Sequence, residues 1–101
     1  MTISVITSEA DEQVRVEFYG LARQRTGTAA IDIPAAESIT LASLWRALVI
    51  RFPQLATPGA DSAPPTSLYR INLDGQQFVT HPQTPITRGR CVLIMSADVG
   101  G

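Results

Sequence analysis

The sequence closes on Asp98-Val99-Gly100-Gly101. Gly100 and Gly101 carry no side chains, so a main-chain carboxylate on Gly101 can thread a narrow channel and enter another protein's active site, where backbone approaches closely. The chemistry open to such a group is that of an activated acyl. At an average glycine usage of about 7%, two terminal glycines arise by chance in about 0.5% of sequences. That is rare enough to single out the pair and too common to decide its use alone.

Other reactive side chains are sparse. Cys91 is the one cysteine, and it opens the apolar run Cys91-Val92-Leu93-Ile94-Met95. A reactive thiolate needs an electropositive, accessible setting, so Cys91 is expected to be a buried small hydrophobe. His81 stands between Thr80 and Pro82 with no cysteine or second histidine at ligand spacing, which argues against a metal site. All eight basic residues are arginine, so no side-chain amine exists for Schiff-base chemistry. Gly20, Gly27 and Gly75 read as turn residues, because no glycine-rich loop runs from strand into helix with phosphate-binding spacing. The acidic residues are scattered and no Ser, His and Asp grouping emerges, so an independent hydrolase is not expected.

Composition sets the class in which these residues act. The chain has 101 residues, 45% hydrophobic and 17% charged, with net charge −1. That length supports one modest core. The charge balance gives no reason to expect nucleic acid or an anionic membrane as a partner. A lone cysteine, with no basic-then-apolar leader, fits a reducing, cytoplasmic setting. The run Cys91 to Met95 is the longest purely apolar one and is far too short to span a membrane as a helix.

The elements that would carry the tail follow from periodicity. Residues 1–13 combine Ile3, Val5 and Ile6 with the acidic Glu9, Asp11 and Glu12, and are expected to be a mobile extension. Val14, Val16 and Phe18 alternate with Arg15 and Glu17, the pattern of a half-buried strand. Tyr19 then falls on the opposite side from Phe18, facing outward where a partner can reach it. Gly20 interrupts the strand, Leu21 to Arg25 can form about one helical turn, and Ala29, Ile31 and Ile33 form a second strand after Gly27. Thr40 is the expected N-cap of a helix whose stripe is Leu41, Leu44, Trp45, Leu48 and Phe52, and Pro53 ends it. Residues 56–67 hold three prolines and a glycine without periodicity, which reads as a flexible loop.

Tyr69, Ile71 and Leu73 alternate, Asp74-Gly75 is a hairpin pair, and Phe78-Val79 returns. A proline-punctuated loop over residues 81–85 and a turn at Gly89 lead into Cys91 to Met95. That run is apolar at every position, as in a central strand covered on both faces. The first strand is its expected parallel neighbour. The order is strand, strand, helix, strand, short strand, strand, which predicts an α+β, β-grasp arrangement with one helix on a mixed sheet over residues 14–97 and a flexible tail at 98–101.

The chain resembles the small subunit of molybdopterin synthase (MoaD-like) and its relative, the thiamine-pathway sulfur carrier (ThiS-like). The resemblance runs from about Val14 to Gly101. It rests on Val16-Glu17-Phe18-Tyr19-Gly20-Leu21-Ala22-Arg23, on the helix Leu41 to Phe52 with Pro53-Gln54-Leu55, on Ile71-Asn72-Leu73-Asp74-Gly75, on Thr84 through Ile94, and on the diglycine. The N-terminal extension and the 56–67 loop fit the longer, molybdopterin type. Ser96-Ala97 stands where the family often has prolines, Val99 where it often has a small hydroxyl residue, and Arg88-Gly89-Arg90 where the turn is often acidic.

The resemblance implies a ubiquitin-like fold and a non-catalytic sulfur carrier, inactive alone. An ATP-dependent adenylating enzyme (MoeB-like) would convert the Gly101 carboxylate to an acyl-adenylate, with ATP bound by that enzyme and no cofactor on this chain. A sulfur donor would displace AMP to leave a thiocarboxylate. The large catalytic subunit (MoaE-like) would then receive the Gly100-Gly101 tail and pass its sulfur to a pterin precursor in molybdenum cofactor biosynthesis. The same tail also serves a carrier for thiamine, cysteine or tRNA thiolation, a ubiquitin-like modifier, or an interaction module.

Overall fold

The computed structural model describes residues 13–35, 37–56, 64 and 67–97. Residues 1–12 of the expected extension, most of the 56–67 loop, and the tail 98–101 lie outside the described residues. Alternation builds the first hairpin. In β1 (Gln13–Phe18), Val14, Val16 and Phe18 are buried on one side, while Arg15 and Glu17 stand on the other. β2 (Ala30–Pro34) pairs antiparallel with it, Ile33 opposite Val14 and Ile31 opposite Val16. Between them lies the short helix α1 (Leu21–Thr26), stopped by Gly27 at φ 72°, whose N–H donates to the Arg23 carbonyl.

A three-residue strand, β3 (Ser38–Thr40), runs directly into helix α2 (Leu41–Arg51). Thr40 caps the helix, its Oγ1 accepting the Ser43 N–H at 3.1 Å. Two further first-turn donors are satisfied from outside: Leu41 N–H donates to the Thr84 carbonyl and Ala42 N–H to that of Pro82, both at 2.9 Å. The proline-punctuated loop is thereby tied to the helix. Leu41, Leu44, Trp45 and Leu48 are buried, as the stripe predicts. Phe52 is half-buried and meets Phe18 edge to face, with 5.6 Å between ring centroids. Pro53 opens a 3-10 turn (Pro53–Leu55) that ends the helix and buries Leu55.

The second half completes the sheet. β4 (Tyr69–Leu73) and β5 (Gln77–Val79) are antiparallel, and between them Asp74 (φ 58°) and Gly75 (φ 75°) take the positive angles expected of that pair. β6 (Pro85–Thr87) pairs with β3, Ile39 opposite the buried Ile86. This small second sheet is absent from the sequence-based expectation, which reads both segments as connections. β7 (Cys91–Ser96) is the central strand of the order β2-β1-β7-β4-β5, parallel to β1 and antiparallel to β4.

The core lies between α2 and one face of that sheet. Trp45 packs on Tyr69 with 5.5 Å between ring centroids, and Leu44 and Leu48 share the core with Val16, Ile71, Val92 and Ile94. Each such side chain contributes about 1.5–3 kcal/mol on burial. Coverage of β7 is one-sided, which corrects the expectation of a strand closed on both faces. Val92 and Ile94 are buried, but Cys91, Leu93 and Met95 on the other face are only half-buried. The helix α2 covers one face only. Among the described residues, no helix is long and apolar enough to cross a membrane.

Candidate functional site

The predicted site residues Gly100 and Gly101 lie outside the described residues; β7 is the strand that precedes them in sequence. At the end of β7 three segments converge. Tyr19 N–H donates to the Ile94 carbonyl at 2.9 Å, Leu21 N–H donates to Ser96 Oγ at 2.7 Å, and Ala97 N–H donates to the Leu68 carbonyl at 2.9 Å. Ser96 also stands opposite Tyr69 in the β4 ladder. The chain is therefore held on both flanks up to Ala97. Around this root lies a shallow depression lined by Gly20, Leu21, Gln24, Ser67, Leu68 and Ser96.

Gly20 makes the convergence possible. Its backbone sits at φ 57° and ψ −127°, which L side chains rarely adopt. A Cβ placed there would lie 2.2 Å from Ser96 Oγ. Sequence reasoning finds Gly20 as an interruption of the first strand and misses its partner, because Ser96 and Leu21 are 75 residues apart.

The face of the sheet opposite α2 carries a cluster of polar groups from β1 and the residue after it. Glu17 accepts the Tyr19 hydroxyl at 2.5 Å and the Arg15 Nε–H at 2.9 Å. Tyr19 and then Arg15 hold the Glu17 carboxyl below its ordinary range, and the bond to Glu17 raises the Tyr19 phenol above its own. Tyr19 is 43% exposed, so it does face outward as predicted. Its proton is engaged by Glu17, and it is a donor rather than a base.

Cys91 is half-buried on that face, less enclosed than the expected core position. Burial pushes its thiol up, and the neighbouring Glu17 charge pushes it further. It is a protonated thiol at neutral pH, without the setting of a nucleophile. Arg90, from the turn Arg88-Gly89-Arg90, donates its Nε–H to Asp74, and Asp74 also accepts the Cys91 N–H at 2.8 Å. That arginine belongs to the fold, and its charge is answered locally. His81 Nδ1 accepts the Gln83 N–H at 3.0 Å, so the imidazole orders its own loop. Among the described residues, no group of three or more His, Cys, Asp or Glu is placed to hold a metal ion.

No protein-family model and no curated protein matches the sequence. Solved structures do match the fold. The crystal structure of SAMP1 from Haloferax volcanii superposes with a TM-score of 0.72, at 14% identity, over 88% of this chain and 99% of that one. A crystal structure of H. volcanii small archaeal modifier protein 1 gives 0.67, at 13% identity, over 83% and 95%. The fold is a ubiquitin-like β-grasp. In this β-grasp the last strand is central, so the residues that follow it leave from the middle of the sheet, between the Gly20 corner and Leu68. The end of β7 is thus fixed on one flank by Tyr19 and Leu21 and on the other by Leu68 and the β4 ladder, so the chain's position is set through Ala97.

Proposed function

We propose that this chain is a ubiquitin-like sulfur carrier, the small subunit of molybdopterin synthase, and that Gly101 is its working residue. The observation that carries the reading is a β-grasp whose central strand, clamped through Ala97, leads straight into Asp98-Val99-Gly100-Gly101. The Gly101 carboxylate attacks the α-phosphate of ATP on a MoeB-like adenylating enzyme, releasing pyrophosphate and forming an acyl-adenylate. A sulfide-level donor (hydrosulfide or its equivalent) then adds to the carbonyl and AMP leaves, giving the thiocarboxylate. The tail next enters a MoaE-like large subunit, which supplies cationic groups for the precursor's phosphate and for developing charge. In this reading the chain's contribution to both steps is a threadable acyl group.

A second reading has support from the solved structures, one of which is that of small archaeal modifier protein 1. In it the activated Gly101 carbonyl is attacked by a lysine amine of a target protein, and an isopeptide bond forms as AMP or an enzyme thiol leaves. Intact-mass measurement separates the two. Incubation with ATP, the adenylating enzyme and a sulfur donor is expected to exchange one terminal oxygen for sulfur. A product that instead carries this chain on target lysines, with no sulfur exchange, selects the modifier, and no change of either kind removes both.

A further inference from the structure

The contact between Ser96 and Leu21 joins the last residue of β7 to the corner between β1 and α1. It is unlike a ladder bond in that it depends on one side chain. Leu21 lies at the start of α1, where backbone donors lack partners within the helix, and Ser96 Oγ takes this one at 2.7 Å. The hydroxyl reaches it through space that any side chain at position 20 would fill, since a Cβ on Gly20 would lie 2.2 Å from Oγ and 3.2 Å from Ser96 Cβ. Two sequence choices, a residue with no side chain and a residue with a short hydroxyl, are therefore matched across the fold. On the opposite flank Ala97 N–H is held by Leu68, so the two bonds bracket the point at which the tail begins.

We infer that Ser96 is a positioning residue: its hydroxyl, latched to the Leu21 amide across Gly20, fixes where and in which direction the chain leaves the sheet at Ala97. Fully extended, the four residues 98–101 reach about 13–14 Å from that point. The latch sets this length. Without it, Ser96 and Ala97 are held from the β4 flank alone, their mobility rises, and a partner must restrict that added motion each time it takes up the tail. The consequence for charging rests on the sulfur-carrier reading above, whereas the latch itself does not.

Ser96→Ala tests it in two ways. In the isolated protein, the Leu21 amide should exchange with solvent about tenfold faster or more, and the {1H}-15N heteronuclear NOE of Ala97 should fall, with the remaining β7 amides unchanged. In ATP–pyrophosphate exchange with the adenylating enzyme, KM for the variant should rise about three- to thirtyfold while kcat stays within about twofold, because ordering precedes chemistry that the variant does not touch. Ser96→Thr, which keeps the hydroxyl, should restore both. Unaltered Leu21 exchange overturns the latch. Faster exchange with an unchanged KM, or a loss in kcat alone, overturns the positioning role. If the unaltered protein supports no pyrophosphate exchange, the carrier reading fails together with the charging consequence, and the exchange data alone decide the latch.

Discussion

The Asp74 carboxylate accepts the backbone N–H of Cys91 at 2.8 Å, while the Asp74 N–H donates to the Cys91 carbonyl at 2.7 Å. The turn that closes β4–β5 thus also fixes the first residue of the central strand. Arg90 completes the arrangement from the residue before, pairing with the other carboxylate oxygen. A hairpin tip and a strand start that are remote in sequence are set by one side chain.

Asp74 should therefore govern stability in acid. The Cys91 N–H, and after it the Arg90 guanidinium, hold the Asp74 carboxyl below its ordinary range. A carboxyl whose pKa is lower in the folded state stabilises fully above its unfolded value, about 4, and loses that contribution as pH falls through the lower folded value. Urea unfolding of Asp74→Asn against the unaltered protein should show a stability gap at pH 7 that closes below pH of about 4. Asp74→Ala should cost more, about 2–3 kcal/mol, since alanine also fits poorly at a φ of 58°. A gap independent of pH would contradict the charge argument.

Much of this fold is legible in the residues, because its elements are long enough to show a period. Val14, Val16 and Phe18 alternate and are buried; Leu41, Leu44, Trp45 and Leu48 keep helical spacing and are buried; Asp74-Gly75 names its own turn. The β3–β6 ladder is not legible, since Ser38–Thr40 and Pro85–Thr87 are three residues each and show no period. An apolar run likewise says that a strand is central without saying that both its faces are closed, and Cys91, Leu93 and Met95 remain half-buried. At the tail root, the diglycine is visible in sequence whereas the Ser96 and Gly20 match is not. Steric complementarity between residues so distant leaves no local pattern.

Cys91 should react slowly. Burial first, and the Glu17 charge after it, raise its thiol above the ordinary value of about 8.5, so little thiolate exists at neutral pH. Iodoacetamide alkylation is expected to run slower than for an unperturbed thiol at pH 7.5, with its midpoint at higher pH. Glu17→Gln should bring the midpoint only part of the way down, because burial is the larger cause. Cys91→Ala should leave charging of the tail unchanged. Rapid alkylation at neutral pH would show that the thiol is activated by something the geometry does not contain.

The absence of lysine bears on what an activated Gly101 can do to its own kind. Amines attack acyl-adenylates, and among copies of this sequence only the α-amino group is available, since every one of the eight basic side chains is an arginine. With ATP and the adenylating enzyme but no sulfur donor, the unaltered protein should form no isopeptide-linked dimers. Arg46→Lys places a primary amine on the exposed side of α2 at little cost to the fold. Under the same conditions that variant should yield a dimer whose tryptic map carries a branched peptide at position 46. Dimers of the unaltered protein linked through any side chain would refute the point.

Removal of Gly101 should separate function from folding. Among the described residues, the strands, the helices and the buried core cluster all lie within 13–97. Thermal unfolding of the protein without Gly101 should therefore match that of the full chain within about 0.5 kcal/mol, the range of substitutions that touch no packing. Charging should be lost outright, because shortening the tail withdraws the acyl group from the adenylating centre by about 3.5 Å. Gly100→Ala tests a different property. It keeps the length but adds a side chain where close backbone approach is required, and it should reduce kcat/KM for pyrophosphate exchange by 100-fold or more, about 2.7 kcal/mol, again without loss of stability. If both variants charge normally, Gly101 is not the working residue; if both unfold, the tail packs on the core.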